Sequence, residues 1–151
     1  MSIPATIAHA VQQSQEWLKE LRDSADLANE SEALSVLRAV LHQLRDRLTV
    51  DEAVQLSAQL PTIVRGFYFE GWKPASVPDL SVKTRIDFFD NVTERLLPHR
   101  IPPEPVVRDV FALLAHHIDP GEISDVIGQL PDDLKALWPL TARTFKERMR
   151  G

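Results

Sequence analysis

The five histidines of this chain are its best candidates for metal binding, because the chain contains no cysteine. Zinc and related ions need two or three ligands that converge on one point, often histidines one helical turn apart. No two histidines stand four residues apart. His116 and His117 are adjacent, so on a helix they point about 100° apart and are expected to complement the dipole at a helix C-terminus. We predict no metal site from spacing, but a site that joins His42 to His116 or His117 stays open if equivalent helices pack together.

Neighbouring carboxylates are the second group that could do chemistry, since two acids can divide the general-acid and general-base roles. Such pairs occur at 51–52, at 87 and 90, and at 132–133. Each has a structural explanation, because carboxylates cap helix N-termini and are common on solvated helix faces. Nucleophile elbows and glycine-rich phosphate loops are absent from the sequence. We therefore predict no catalytic residue and no cofactor, and the sequence favours a non-enzymatic protein.

The most distinctive segment is aromatic and carries Phe67, Tyr68, Phe69 and Trp72 within six positions. In one interpretation Phe67 and Tyr68 pack in the core while Trp72 covers a junction between two parts of the chain. In the other, the segment is an exposed patch that binds a partner, since Trp and Tyr concentrate at binding hot spots. The residues predicted for that contact are Tyr68, Phe69 and Trp72.

Helices must position these residues, because apolar side chains recur at helical spacing and strand patterns are almost absent. The pairs expected to form capping boxes at helix starts are Asn29 with Glu32, Thr49 with Glu52 and Asp119 with Glu122. Two apolar stripes are predicted to pack together, namely Leu34, Leu37, Leu41, Leu44 and Leu48, and Val107, Phe111, Leu114 and Ile118. The predicted fold class is all-α, a bundle of about eight helices.

The chain also repeats itself. The tripeptide Gln-Leu-Pro at 59–61 recurs at 129–131, and eight of the 26 positions from 36 to 61 are identical at this 70-residue offset. Chance would give about one or two identities. We therefore predict one domain over 1–151, divided into repeat one (4–72), a linker (73–80), repeat two (81–139) and a basic tail (140–151).

Composition limits the partners. The net charge of −5 argues against a nucleic-acid-binding surface. No apolar run approaches the ~20 residues that span a bilayer, and the N-terminus does not look like a signal peptide. We expect a cytoplasmic protein without membrane contact, whose partner is another protein or a second copy of itself.

The quoted motifs resemble a known family. They are the stretch 40–49, Glu52-Ala53, the two Gln-Leu-Pro tripeptides and Gly71-Trp72. In this combination, over about 17–138, the sequence resembles the bacterial domain-of-unknown-function family twenty-two sixty-seven. The resemblance implies a small all-helical bacterial protein with an internal duplication and brings no established activity.

Two functions follow as expectations. The first is a non-enzymatic helical interaction module that uses the aromatic segment. The alternative is a small-molecule-binding or metal-binding sensor or enzyme, which would use the groove between the repeats with His42, His116 and His117 as its polar groups.

Overall fold

The computed structural model describes residues 2–150; Met1 and Gly151, the last residue of the predicted tail, lie outside this range. Within it the chain forms ten α-helices and one short 3-10 helix (Pro74–Ser76), and no strand. The α-helices are α1 (Ala5–Ser24), α2 (Glu30–Asp46), α3 (Val50–Ser57), α4 (Thr62–Tyr68), α5 (Arg85–Leu96), α6 (Pro103–His117), α7 (Pro120–Gly128), α8 (Asp132–Lys135), α9 (Leu140–Arg143) and α10 (Phe145–Arg150). The all-α prediction is confirmed.

The core lies between α2, α5 and α6, which contact one another. Of the two predicted stripes every residue is buried except Leu34, which is partly exposed at the start of α2. Aromatic rings fill the second half of the core: Phe111 stacks on Trp138 at 4.2 Å between ring centroids and meets Phe88 edge-on at 5.9 Å. Each fully buried side chain of this size contributes about 1.5–3 kcal/mol to the free energy of folding by leaving water. These aromatic residues therefore help to stabilise the packing of the helices.

Side-chain caps start three helices at the predicted residues. Asn29, Thr49 and Asp119 each accept a hydrogen bond from the backbone N–H three positions later, over 2.9, 3.3 and 3.2 Å. The reciprocal half of these predicted boxes does not form, because the glutamate three positions on does not return to the N–H of the cap residue. A full capping box occurs instead at the start of α5, between Thr84 and Asp87.

Each Gln-Leu-Pro tripeptide contacts the part of the chain that contains the other one. Each one makes a tight corner between two helices, and each proline directly precedes the helix that follows. The Thr49 N–H donates to the Gln129 side-chain oxygen at 3.0 Å, and the Asp119 N–H donates to the Gln59 side-chain oxygen at 2.9 Å. Each glutamine therefore satisfies the helix start of the opposite half. The division of the chain into two repeats stays a prediction.

The linker and the tail are both attached to the bundle. In the linker the Asp79 N–H donates to the Asp46 carbonyl at the end of α2, at 2.7 Å. In the tail, α10 packs against α7, and Lys146 pairs with Asp125 at 3.3 Å.

Candidate functional site

Tyr68 lies in the core. Its ring is fully buried, and its hydroxyl donates to the Ala53 carbonyl at 2.8 Å. Burial raises the pKa of Tyr68 well above its ordinary value. The side chain is therefore held inside the first half of the bundle and does not reach the surface.

Phe69 and Trp72 reach the surface beside the buried Tyr68. Both are half-buried, and their ring centroids lie 5.3 Å apart. The Trp72 indole N–H is shielded from water and has no hydrogen-bond partner. Gly71 directs the chain between them with φ of +68°, a left-handed conformation that favours glycine. Of the three residues predicted to bind a partner, Phe69 and Trp72 are thus the ones with exposed surface.

His42 lies in a different polar region, an open cleft of about 470 Å³ between α2, the end of α4 and the linker. Its Nε2 is 2.7 Å from the Phe67 carbonyl oxygen, and burial lowers the pKa of His42. Below it lies Arg45, which is only 2% exposed and donates to the Tyr68 and Glu70 carbonyls at 2.7 Å each. The guanidinium thus caps the C-terminus of α4, where carbonyls lack partners within the helix.

His116 and His117 converge on one carboxylate. Glu20, on α1, accepts a hydrogen bond from His116 Nδ1 at 2.7 Å through one oxygen and from His117 Nε2 at 2.5 Å through the other. The three side chains place one ligand atom each within 4.8 Å of the others. Partial burial alone would raise the pKa of Glu20, but the hydrogen bonds and charges of His117 and His116 outweigh it and lower that pKa. The structure therefore brings together two of the three histidines named for ligand binding and adds Glu20.

A small pocket continues this cluster along α6. Asp109 and His116, seven residues apart on one helix face, line it together with Glu20. Burial raises the pKa of Asp109. On the other side, the buried Trp17 stacks on the His117 ring with centroids 4.8 Å apart. The seven-residue spacing on one helix indicates in the sequence that Asp109 lies on the same helix face as His116. Glu20 is 96 residues from His116, and nothing in the local sequence links the two.

A second pair of titratable groups lies where α3 packs on α7. The carboxyl groups of Glu52 and Glu122 lie close together, close enough for Glu52 to act on the pKa of Glu122. Each also has one buried oxygen without a partner. Burial and the adjacent Glu52 carboxyl raise the pKa of Glu122 to about 8. Neither glutamate accepts a hydrogen bond from the N–H of its own cap residue. The Thr49 N–H donates to Gln129 and the Asp119 N–H donates to Gln59, so both glutamates are left free to face each other.

The face of α1 that packs on the bundle continues beyond it. Ser14, Trp17 and Leu21 are buried, and Ile7 extends the same alternation of three-residue and four-residue steps through Ala10. Ile7 is 53% exposed, and its neighbour Val11 one turn later is 40% exposed. We call Ile7, Ala10 and Val11 the α1 ridge.

The comparisons place the chain in a family. Among the described residues no helix combines the length and apolarity needed to cross a membrane. No curated protein matches the chain. The model of DUF2267, a family of uncharacterized conserved proteins, matches residues 14–137. This match covers most of the chain and confirms the resemblance seen in the motifs. The chain therefore belongs to the DUF2267 family.

Proposed function

We propose that this protein is a non-enzymatic helical interaction module of the bacterial cytoplasm, and that its main contact surface is the α1 ridge. The observation that carries the proposal is the continuity of one helix face. The face that is buried from Ser14 to Leu21 stays apolar toward the N-terminus, where nothing in the described chain covers Ile7 and Val11. An apolar stripe that runs on past the core is typical of a surface that another helix covers.

Charge supports the same surface. The chain as a whole has 26% charged residues, yet the first charged side chain from the N-terminus is Glu16. Depletion of charge is typical of the centre of protein interfaces. Two identical segments without charged side chains can also approach each other without like-charge repulsion. We therefore propose that the partner is a second copy of this chain, with the two ridges packed together.

The aromatic segment supplies a second contact in this proposal. Phe69 and Trp72 offer partly exposed rings, and Arg38 lies over the neighbouring Phe67 ring at 5.5 Å from its centroid. Arg38 is itself held by two hydrogen bonds to Glu70, of 2.9 and 3.2 Å. Aromatic and arginine side chains are enriched at interfaces. Tyr68 is buried beneath this patch and would not contact the partner itself.

The test measures the oligomeric state by sedimentation equilibrium over a range of protein concentrations. The wild type should form a dimer as concentration rises, and Ile7→Ser should stay monomeric at concentrations where the wild type is dimeric. Ile86→Ser is the matched control, because Ile86 is also helical and is 60% exposed on α5. A wild type that stays monomeric throughout, or an equal loss in both variants, would refute the ridge as a self-association surface.

The alternative function is the binding of a small molecule or metal by three histidines, and the structure places these histidines in two separate regions. His42 contacts the Phe67 carbonyl and lies in the cleft of Arg45, whereas His116 and His117 contact Glu20. A single site that uses all three histidines therefore has no support here. The part of the alternative that concerns His116 and His117 is developed next.

A further inference from the structure

We propose that Glu20, His116 and His117 form a binding site for a divalent first-row transition-metal ion such as Zn²⁺. This inference is independent of the interaction surface on the α1 ridge. It depends on three potential ligand atoms that the fold brings together from α1 and from the C-terminus of α6.

The spacing suits a metal ion. In a tetrahedral site with bonds of about 2.1 Å, ligand atoms lie ~3.4 Å from one another. The ligand atoms here lie within 4.8 Å of one another, and the two closest contacts are 2.7 and 2.5 Å. Rotation of side chains that are 69% exposed (His116) and 36% exposed (Glu20) is enough to adjust such distances without moving a helix.

The ligand types select the class of ion. Imidazole nitrogen suits Zn²⁺, Cu²⁺, Ni²⁺ and Fe²⁺, whereas Mg²⁺ and Ca²⁺ prefer sites made of oxygen alone. Two histidines with one carboxylate leave coordination positions open for water or another ligand. Both histidines have one ring nitrogen directed at Glu20, so the potential ligand atoms already face one another, and a bound ion would replace the protons of these two hydrogen bonds, which are released to water.

The surroundings favour a cation. The small pocket beside the cluster is lined by Glu20, Asp109 and His116 together with Ser24 and two apolar residues, and none of its lining residues is lysine or arginine. A second carboxylate near the ion would lower the cost of placing a positive charge there. Trp17 covers one face of the His117 ring and limits its motion, which reduces the ordering cost of binding.

Such an ion would connect two distant parts of the chain. Glu20 and His117 are 97 residues apart in sequence, and both lie where α1 crosses the end of α6. An ion that binds only the folded state stabilises it by mass action. We therefore expect the melting temperature of the full chain to rise with ZnCl₂ and not with MgCl₂.

The decisive experiment is isothermal titration calorimetry of the full chain, prepared without a histidine tag, with ZnCl₂. The wild type should bind one ion per chain, and Glu20→Gln and His116→Ala should each weaken binding at least about tenfold. His99→Ala is the matched control, since His99 is exposed and lies outside the cluster. Circular dichroism melts without metal check that each variant folds, and the high exposure of His116 makes loss of folding in that variant unexpected.

A spectroscopic measurement locates the bound ion. Because Trp17 stacks on His117, Cu²⁺ or Ni²⁺ bound there should quench the fluorescence of Trp17, and Trp17→Phe should remove that quenching. Trp138, stacked on Phe111 in the core, should be little affected. Absence of Zn²⁺ binding to the wild type, or equal binding by the wild type and the His116→Ala variant, would overturn the proposal.

Discussion

Replacing Glu122 with glutamine should stabilise the protein in alkaline buffer and change little in weak acid. Burial and the adjacent Glu52 carboxyl raise the pKa of Glu122 from 4.5 to about 8. The folded state therefore retains a proton that the unfolded chain releases, and wild-type stability falls as pH rises from 4.5 toward about 8. The glutamine amide can donate a hydrogen bond to Glu52 at every pH, so the variant should lose this dependence.

The magnitude follows from the size of the pKa difference. One pKa unit corresponds to about 1.4 kcal/mol, so the interval from 4.5 to about 8 sets an upper limit of ~5 kcal/mol on the change in the free energy of unfolding. Glu122 is partly exposed, and solvent screening reduces charge effects at such positions. We expect Glu122→Gln to be more stable than the wild type by ~1–2 kcal/mol at about pH 9. Near pH 5 the two proteins should be equal within ~0.5 kcal/mol.

Urea unfolding followed by tryptophan fluorescence at a series of pH values measures this difference. Glu147→Gln is the matched control, because Glu147 is an exposed glutamate of the tail. Burial lowers the pKa of His42, so His42 destabilises the folded state at pH values below its ordinary 6.5, but both proteins contain His42 and this effect cancels in their difference. Parallel pH profiles for the wild type and Glu122→Gln would show that the pKa of Glu122 is not raised in the folded state and would refute the reasoning.

Two further variants test the region around α4. Arg45→Met should lower the free energy of unfolding by ~2–5 kcal/mol, because the Tyr68 and Glu70 carbonyls each lose a charged donor; a loss in urea unfolding below ~1 kcal/mol would contradict this role. Trp72→Ala should weaken dimerisation in sedimentation equilibrium while the circular dichroism spectrum stays helical. If Trp72→Ala unfolds the protein, the residue is part of the core and not of a contact surface.

The helices of this protein could be predicted because their signals are local. Asn29, Thr49 and Asp119 cap helix starts where the sequence predicts them, since a cap needs only a short polar side chain and a backbone N–H two or three residues away. The buried stripes of α2 and α6 follow from apolar residues at helical spacing, which alone decides which face leaves water. Family membership could be predicted for a related reason, because each motif is a short run of neighbouring residues that is read directly from the sequence.

The polar pairs could not be predicted in this way. The sequence predicts that Glu52 and Glu122 complete capping boxes within their own helices, whereas the packing of α3 on α7 brings the two carboxyl groups together. The same packing brought a glutamine from each half to the opposite helix start. From the local sequence alone, a polar side chain has several possible hydrogen-bond partners. Which of them it binds depends on the residues of the helix that packs against it.

Sequence alone thus determined the all-helical class, the helix starts and the apolar faces, because these depend on interactions within about four residues. The contact of α1 with the end of α6 decided that His116 and His117 meet on Glu20, and the packing of α4 decided that Tyr68 is fully buried while Trp72 is only half-buried. These contacts depend on the angles and distances between helices. The angles between helices depend on the packing of side chains that are far apart in the chain, so the pattern of residues within one helix does not predict them.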